Sequence, residues 1–213
     1  TLGVSVGRRG ELCVYAPNTT AEPEISAWVR RKLLWVHRKL ALKSKRAAKR
    51  LTPEYVTGER FKYLGRTYRL QVVKVQREPL RFEGSTFLLR RDARQKAEQH
   101  FRAWYSHRGL DWIKTRVRQI IPRVGIAPAK VVVSDLGYRW GSCSRNGAVR
   151  FHWKLFQLPV RLVDYVIVHE LAHLATPHHG PDFWASVERA VPDWKERKEH
   201  LAECAAEFLL VDR

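Results

Sequence analysis

Apolar residues recur every three to four positions at Ile25, Val29, Leu33, Val36 and Leu40. That period predicts an amphipathic helix from Glu24 to about Lys45. Its other faces carry Arg30, Arg31, Lys32, Arg38, Lys39, Lys43, Lys45 and Arg46, with Trp28 and Trp35 interleaved, and the basic run continues to Lys49 and Arg50. Ahead of it, Val4–Val6 and Leu12–Tyr15 flank Gly7-Arg8-Arg9-Gly10 and read as a hairpin, followed by a loop bounded by Pro17 and Pro23. Behind it, the β-rich runs Tyr55–Tyr63 and Thr67–Val75 turn at Gly65, and Thr86–Leu89 adds a strand. These are expected to share one small sheet with the hairpin. Asp92 is placed to cap a helix carrying Ala93, Ala97, Phe101, Trp104 and Tyr105 and ending near Gly109. A second helix is expected from about Asp111 to Ile121, stopped by Pro122. Val131–Val133 reads as a buried strand, and Asn146-Gly147 ahead of the run Ala148–Leu155 predicts a hairpin. Pro159 suits the first turn of a following helix. Further helices are expected from about Pro181 to Val191 and from an Asp193 cap to about Leu209.

The helix after Pro159 changes the picture. Leu162, Val163, Tyr165, Val166, Ile167, Val168, Leu171 and Leu174 make it apolar nearly all round, which predicts burial. Within it stands H-E-x-x-H: His169, Glu170 and His173. Residues four apart share a helix face, so both imidazoles reach one metal ion. Buried histidines without partners are costly, and a metal supplies the partner. Zinc accepts imidazole nitrogen and needs three protein ligands in a catalytic site. The fourth position holds water, whose pKa the ion lowers to roughly 7. Glu170 takes that water's proton as it attacks a carbonyl. A third ligand lies beyond Pro177. His179, six residues after His173, is preferred; the rivals are His178, Glu188, Glu196, Glu199 and Glu203. The histidine spacing is that of metzincins, but Thr176 stands where those have Gly, and the chain has no Met for a Met-turn.

These elements together predict an α+β protein. A zincin-like catalytic domain over residues 91–213 would hold the H-E-x-x-H helix, after a small β-rich N-terminal part over residues 1–90 with one basic helix.

Charge is the compositional outlier: 40 Lys plus Arg against 21 Asp plus Glu, a net +19. Such an excess favours polyanions, nucleic acid first, although an arginine-rich genomic composition gives the same surplus. No apolar run is long enough to span a membrane, and no signal-peptide pattern is visible. Cys13, Cys143 and Cys204 are odd in number and form no C-x-x-C pair, which points to a reducing cytoplasm.

Three segments resemble one family. Arg139-Trp140-Gly141-Ser142-Cys143-Ser144, with Gly147 and Phe151-His152-Trp153, is similar to its R-W-G-S-C-S…G…F-N-W pattern. Tyr165–Leu174 is similar to its Y-V-(I/V)-V-H-E-L-A-H-L core, and His179–Trp184 to its H-(S/G)-x-x-F-W. Thr57–Phe61 and Tyr63-Leu64-Gly65 also match. The family is that of the YgjP-like zinc-dependent metallopeptidases, related to the SprT-like proteases. The resemblance implies zinc on His169, His173 and His179 with Glu170 as general base, and a protein or peptide substrate. His152 and His178 stand where the family has Asn, and are expected outside the ligand set. The relation to SprT-like proteases, which degrade DNA-crosslinked proteins, gives the basic surface a role by analogy.

Arg139 is a catalytic candidate that would contact a substrate carbonyl or backbone; the bland alternative is a structural pair with a carboxylate such as Asp164. Cys143 is either a latch on the metal or a packing residue. Two other functions remain open. One is a nucleoside-triphosphate pyrophosphatase, for which no P-loop or magnesium-binding carboxylate cluster stands out. The other is a nucleic-acid-binding module with a structural metal, which would need a fourth ligand such as Cys143.

Overall fold

The computed structural model describes residues 2–6, 12–47 and 53–208, of which 5, 6, 34, 35, 37–47 and 205–208 by backbone alone. Helix and sheet are mixed, with five α-helices and three small sheets among the described residues. The chain forms two compact units, Thr1–Leu51 and Thr52–Arg213.

In the first unit, β1 (Gly3–Val6) and β2 (Leu12–Tyr15) pair antiparallel, as their patterning predicts. The expected turn at Gly7–Gly10 lies outside the described residues. Helix α1 (Glu22–Ala47) overruns the expected bounds by two residues at each end. Val36 on its apolar stripe is buried, whereas Leu33 is 40% exposed. The side chains of Trp35, Leu40 and the basic residues from Arg38 onward lie outside the described residues. So do Lys49 and Arg50.

The second unit opens with a four-stranded sheet of β3 (Arg60–Tyr63), β4 (Arg66–Val73), β5 (Leu80–Glu83) and β6 (Thr86–Arg90), in the order β3-β4-β6-β5. The expectation that the N-terminal hairpin joins this sheet is corrected, because β1 and β2 pair only with each other among the described residues. The fourth strand is instead Leu80–Glu83, too short between Pro79 and Gly84 to show its alternation.

Residues Arg91–Lys96 form a 3₁₀ segment whose N-cap is Arg90 rather than Asp92, and Asp92 pairs with Arg90 at 2.6 Å. A single helix follows, α2 (Ala97–Val124), where two were expected. Gly109 does not end a helix. A Cβ there would lie 2.1 Å from Phe156 Cε2, so the missing side chain admits the ring. Pro122 falls inside the last turns, and the helix stops at Gly125, whose φ of 82° is left-handed.

The third sheet holds β7 (Lys130–Ser134), β8 (Gly141–Cys143) and β9 (Ala148–His152) in the order β7-β9-β8. Strand β9 runs parallel to β7 and antiparallel to β8, and Asn146-Gly147 occupies the β8–β9 turn as expected. The strand expected to reach Leu155 ends at His152 and gives way to a 3₁₀ segment, Trp153–Gln157. Three helices complete the unit: α3 (Val160–Ala172), α4 (Pro181–Ala190) and α5 (Trp194–Phe208).

The division expected near residue 90 runs through shared packing. Phe61 of β3 stacks on Phe101 of α2 at 4.2 Å, and Phe87 of β6 meets Trp104 edge-on at 4.8 Å. Leu64 N–H donates to the Phe156 carbonyl at 2.7 Å, just ahead of α3. One core therefore runs from the four-stranded sheet to α5.

Candidate metal centre

Helix α3 is the buried centre of this core: every residue from Leu162 to Ala172 is buried. That apolar surround holds His169 and Glu170 at 8% and 6% exposure. His173 is the C-cap of the helix, one turn beyond His169. Its Nδ1 sits 3.1 Å from the Thr176 carbonyl. Donating there, the ring keeps a lone pair on Nε2 for a metal, a tautomer lock typical of metal-binding histidines. Pro177 prevents further helix, and the chain turns back through His179 into α4, with Pro181 in its first turn.

The turn carries His179 Nε2 to 3.2 Å from His169 Nε2. Donor atoms of His169, His173 and His179 all lie within 4.8 Å of one another. Two nitrogens on a tetrahedral zinc, each 2.0–2.1 Å from the ion, would stand about 3.3 Å apart. The observed spacing fits an imidazole-ligated divalent ion. The ring of Phe183 underlies the group, its centroid 5.0, 4.5 and 4.7 Å from those of His169, His173 and His179.

Burial holds all three imidazoles below their ordinary proton affinity. His169 is pushed down to about 3, first by desolvation and then by His173, His179 and Lys198. His173 is lowered by burial, partly offset by the Thr176 carbonyl. His179 is lowered by burial, then by His173, Lys198 and His178. Neutral imidazoles are the form that ligates metal.

Strand β8 is the edge of its sheet and lies over α3. At Gly141 a Cβ would fall 2.6 Å from Glu170 Oε1 and 2.7 Å from its Cγ. The Glu170 side chain therefore rests on bare backbone. Cys143 is close enough for the Glu170 charge to add to the burial that raises its thiol pKa. Strand and helix enclose a cleft of about 520 Å³ lined by the three histidines, Glu170 and Arg139.

A family model described as YgjP-like, metallopeptidase domain, matches residues 1–204. The chain belongs to the YgjP-like family. No curated protein matches it. Among solved structures it is similar to the metallopeptidase zymogen of Pyrococcus abyssi abylysin, at 23% identity over 43% of this chain and 92% of that one, with a TM-score of 0.40.

In this YgjP-like chain the rival ligands lie elsewhere. His178 and Glu188, Glu196, Glu199 and Glu203 are exposed, and none joins the histidine group. Cys143 is also outside it; its Sγ lies 3.7 Å from the Ser144 carbonyl. His152 is a buried structural residue: its Nδ1 accepts from Lys154 N–H at 3.0 Å, and its Nε2 faces Asp135 at 3.3 Å. The alternative pairing of Arg139 with Asp164 is corrected. Asp164 is gripped on both oxygens by Arg116 of α2, at 2.7 and 2.6 Å. Gly141 is the site residue that sequence reasoning did not single out for a role, whereas Phe183, read as core, is fully buried. The only sequence signal for Gly141 was a glycine in a strand-forming run, which marks a close approach.

None of the three cysteines forms a disulfide. No helix among the described residues is long and apolar enough to cross a membrane.

Proposed function

We propose that the protein is a zincin-like, zinc-dependent metallopeptidase in which His169, His173 and His179 hold the ion and Glu170 is the general base. The observation that carries this reading is the convergence of three neutral imidazoles beside a buried carboxylate in one cleft. When bound, zinc supplies Lewis acidity, lowering the pKa of water to roughly 7 and polarising a carbonyl. Glu170 takes the proton of the attacking water and returns it to the leaving amine. Gly141 keeps that carboxylate in place. The open edge of β8 pairs with an extended peptide, which lays the scissile bond across the cleft. Arg139, on the same wall, contacts the bound substrate.

The test is zinc content beside peptide cleavage for wild type and Glu170→Gln. The variant is expected to hold zinc and lose cleavage; full cleavage by zinc-loaded Glu170→Gln would sink the reading. Pyrophosphatase and structural-metal readings gain less support, since the histidine triad is the only metal-competent group among the described residues.

A nucleic-acid contact through the basic surface belongs to the same proposal. Its support is the net charge of +19 and the placement of Arg60 directly opposite Arg69 across β3 and β4. Like charges so placed destabilise a sheet unless a polyanion covers them. Duplex binding should weaken steeply with salt and soften in slope with Arg60→Gln and Arg69→Gln. A slope unchanged by both substitutions counts against this face.

A further inference from the structure

Arg139 lines the cleft between β8 and α3. Arg139 is half-buried, and its Nε is shielded from solvent with no hydrogen-bond acceptor among the described residues. Asp135, the nearest carboxylate in sequence, faces Arg102 and His152, and Asp164 is occupied on both oxygens by Arg116. A second arginine of the lining, Arg145, is exposed. Glu170 is the one acidic side chain of that lining. An N–H donor sealed from water and unpaired in a free protein is an open seat for an acceptor that arrives with a ligand.

We propose that Arg139 is the seat of a substrate carboxylate, so that this cleft selects peptides carrying an acidic side chain or a free C-terminus close to the scissile bond. The guanidinium presents Nε–H and a terminal N–H as a planar fork, which matches the two oxygens of a carboxylate. A lone backbone carbonyl fills only one tine. The position fixes the reach. Arg139 is two residues ahead of Gly141, whose backbone touches Glu170, so their Cα atoms are at most about 7 Å apart. The recognised carboxylate therefore falls within about two substrate residues of the bond cut. Identifying the ligand as a peptide rests on the metallopeptidase reading; the charge preference itself does not.

The experiment separates the two. Binding of three fluorescent peptides to zinc-loaded Glu170→Gln protein is measured by anisotropy: one with acidic side chains and an amidated end, one neutral with a free C-terminus, and one neutral and amidated. At least one carboxylate peptide is expected to bind roughly ten-fold or more tightly than the neutral amide. Adding Arg139→Gln should abolish that preference, bringing the carboxylate peptides level with the neutral amide, and Arg139→Lys should restore it only in part. Arg118→Gln, an exposed site outside the cleft, controls for bulk charge and should leave the preference intact. Which of the two carboxylate peptides gains tells an acidic side chain from a chain end. Equal binding of all three peptides overturns the proposal, as does a preference that survives Arg139→Gln. So does displacement by a nucleoside triphosphate through Arg139 when carboxylates make no difference. Cleavage of the same peptides by wild type is scored separately: its absence counts against the peptidase reading while the binding result still decides the carboxylate seat.

Discussion

Replacing Gly141 by Ala is the sharpest perturbation of the centre. The added methyl would sit 2.7 Å from Glu170 Cγ and 2.8 Å from its Cδ. Carbon atoms in ordinary contact need about 3.5 Å, so the carboxylate must retreat by about 0.8 Å. Glu170 is buried, and its Cγ is not a free end that can swing into water. A displacement of about 1 Å in a catalytic group costs on the order of 100-fold in rate, equivalent to about 2.7 kcal/mol of barrier. Overpacking adds about 1–3 kcal/mol of destabilisation. The backbone at Gly141 has no positive φ, so Ala is not excluded for conformational reasons. The assay is kcat on a peptide substrate together with zinc content and thermal unfolding. The Ala variant should keep its zinc, because no ligand moves, and lose kcat by about 100-fold. The double variant Gly141→Ala/Glu170→Gln should be no slower than Glu170→Gln alone, since both act through one carboxylate. A wild-type kcat in folded Gly141→Ala, or a further large loss in the double variant, refutes the reasoning.

Other outcomes follow from the same structure. His179→Ala should fall from about one zinc per chain to little after dialysis, while Glu188→Gln keeps it; equal retention by both, measured by elemental analysis, excludes His179 as a ligand. His152 is held down at about 4 from 6.5, chiefly by burial, and its Nδ1 must stay unprotonated to accept from Lys154. Its folded pKa is depressed, so its contribution is fully present above pH 6.5 and is lost as pH falls towards 4. The full swing is about 3 kcal/mol. Urea unfolding of His152→Asn should show a correspondingly shallower loss across that window, and an unchanged slope rejects the assignment. Asp164→Ala strands Arg116 and should destabilise by about 2 kcal/mol, a buried-pair loss discounted for the partial exposure of the arginine. A change under about 0.5 kcal/mol in denaturant unfolding would show that the pair does not tie α2 to α3.

Short-range rules were legible in the chain. The i, i+4 histidines on an all-apolar helix and the Asn-Gly hairpin each depend on neighbours within a turn or a strand, so sequence alone determined them. Tertiary packing decided the rest. Gly109 and Pro122 read as helix stops, yet α2 runs through both, because the Phe156 ring needs the space at Gly109 and the helix closes only at Gly125. Asp164 stood as one choice of partner for Arg139. It went to Arg116, 48 residues away, because α2 packs beside α3. His179 was one of several third-ligand candidates. The fold of the Thr176–Gly180 turn brings its nitrogen to His169 and leaves His178 exposed. Local periodicity specifies which face of an element is apolar; which distant side chain meets that face depends on volumes and directions that no short window of sequence contains.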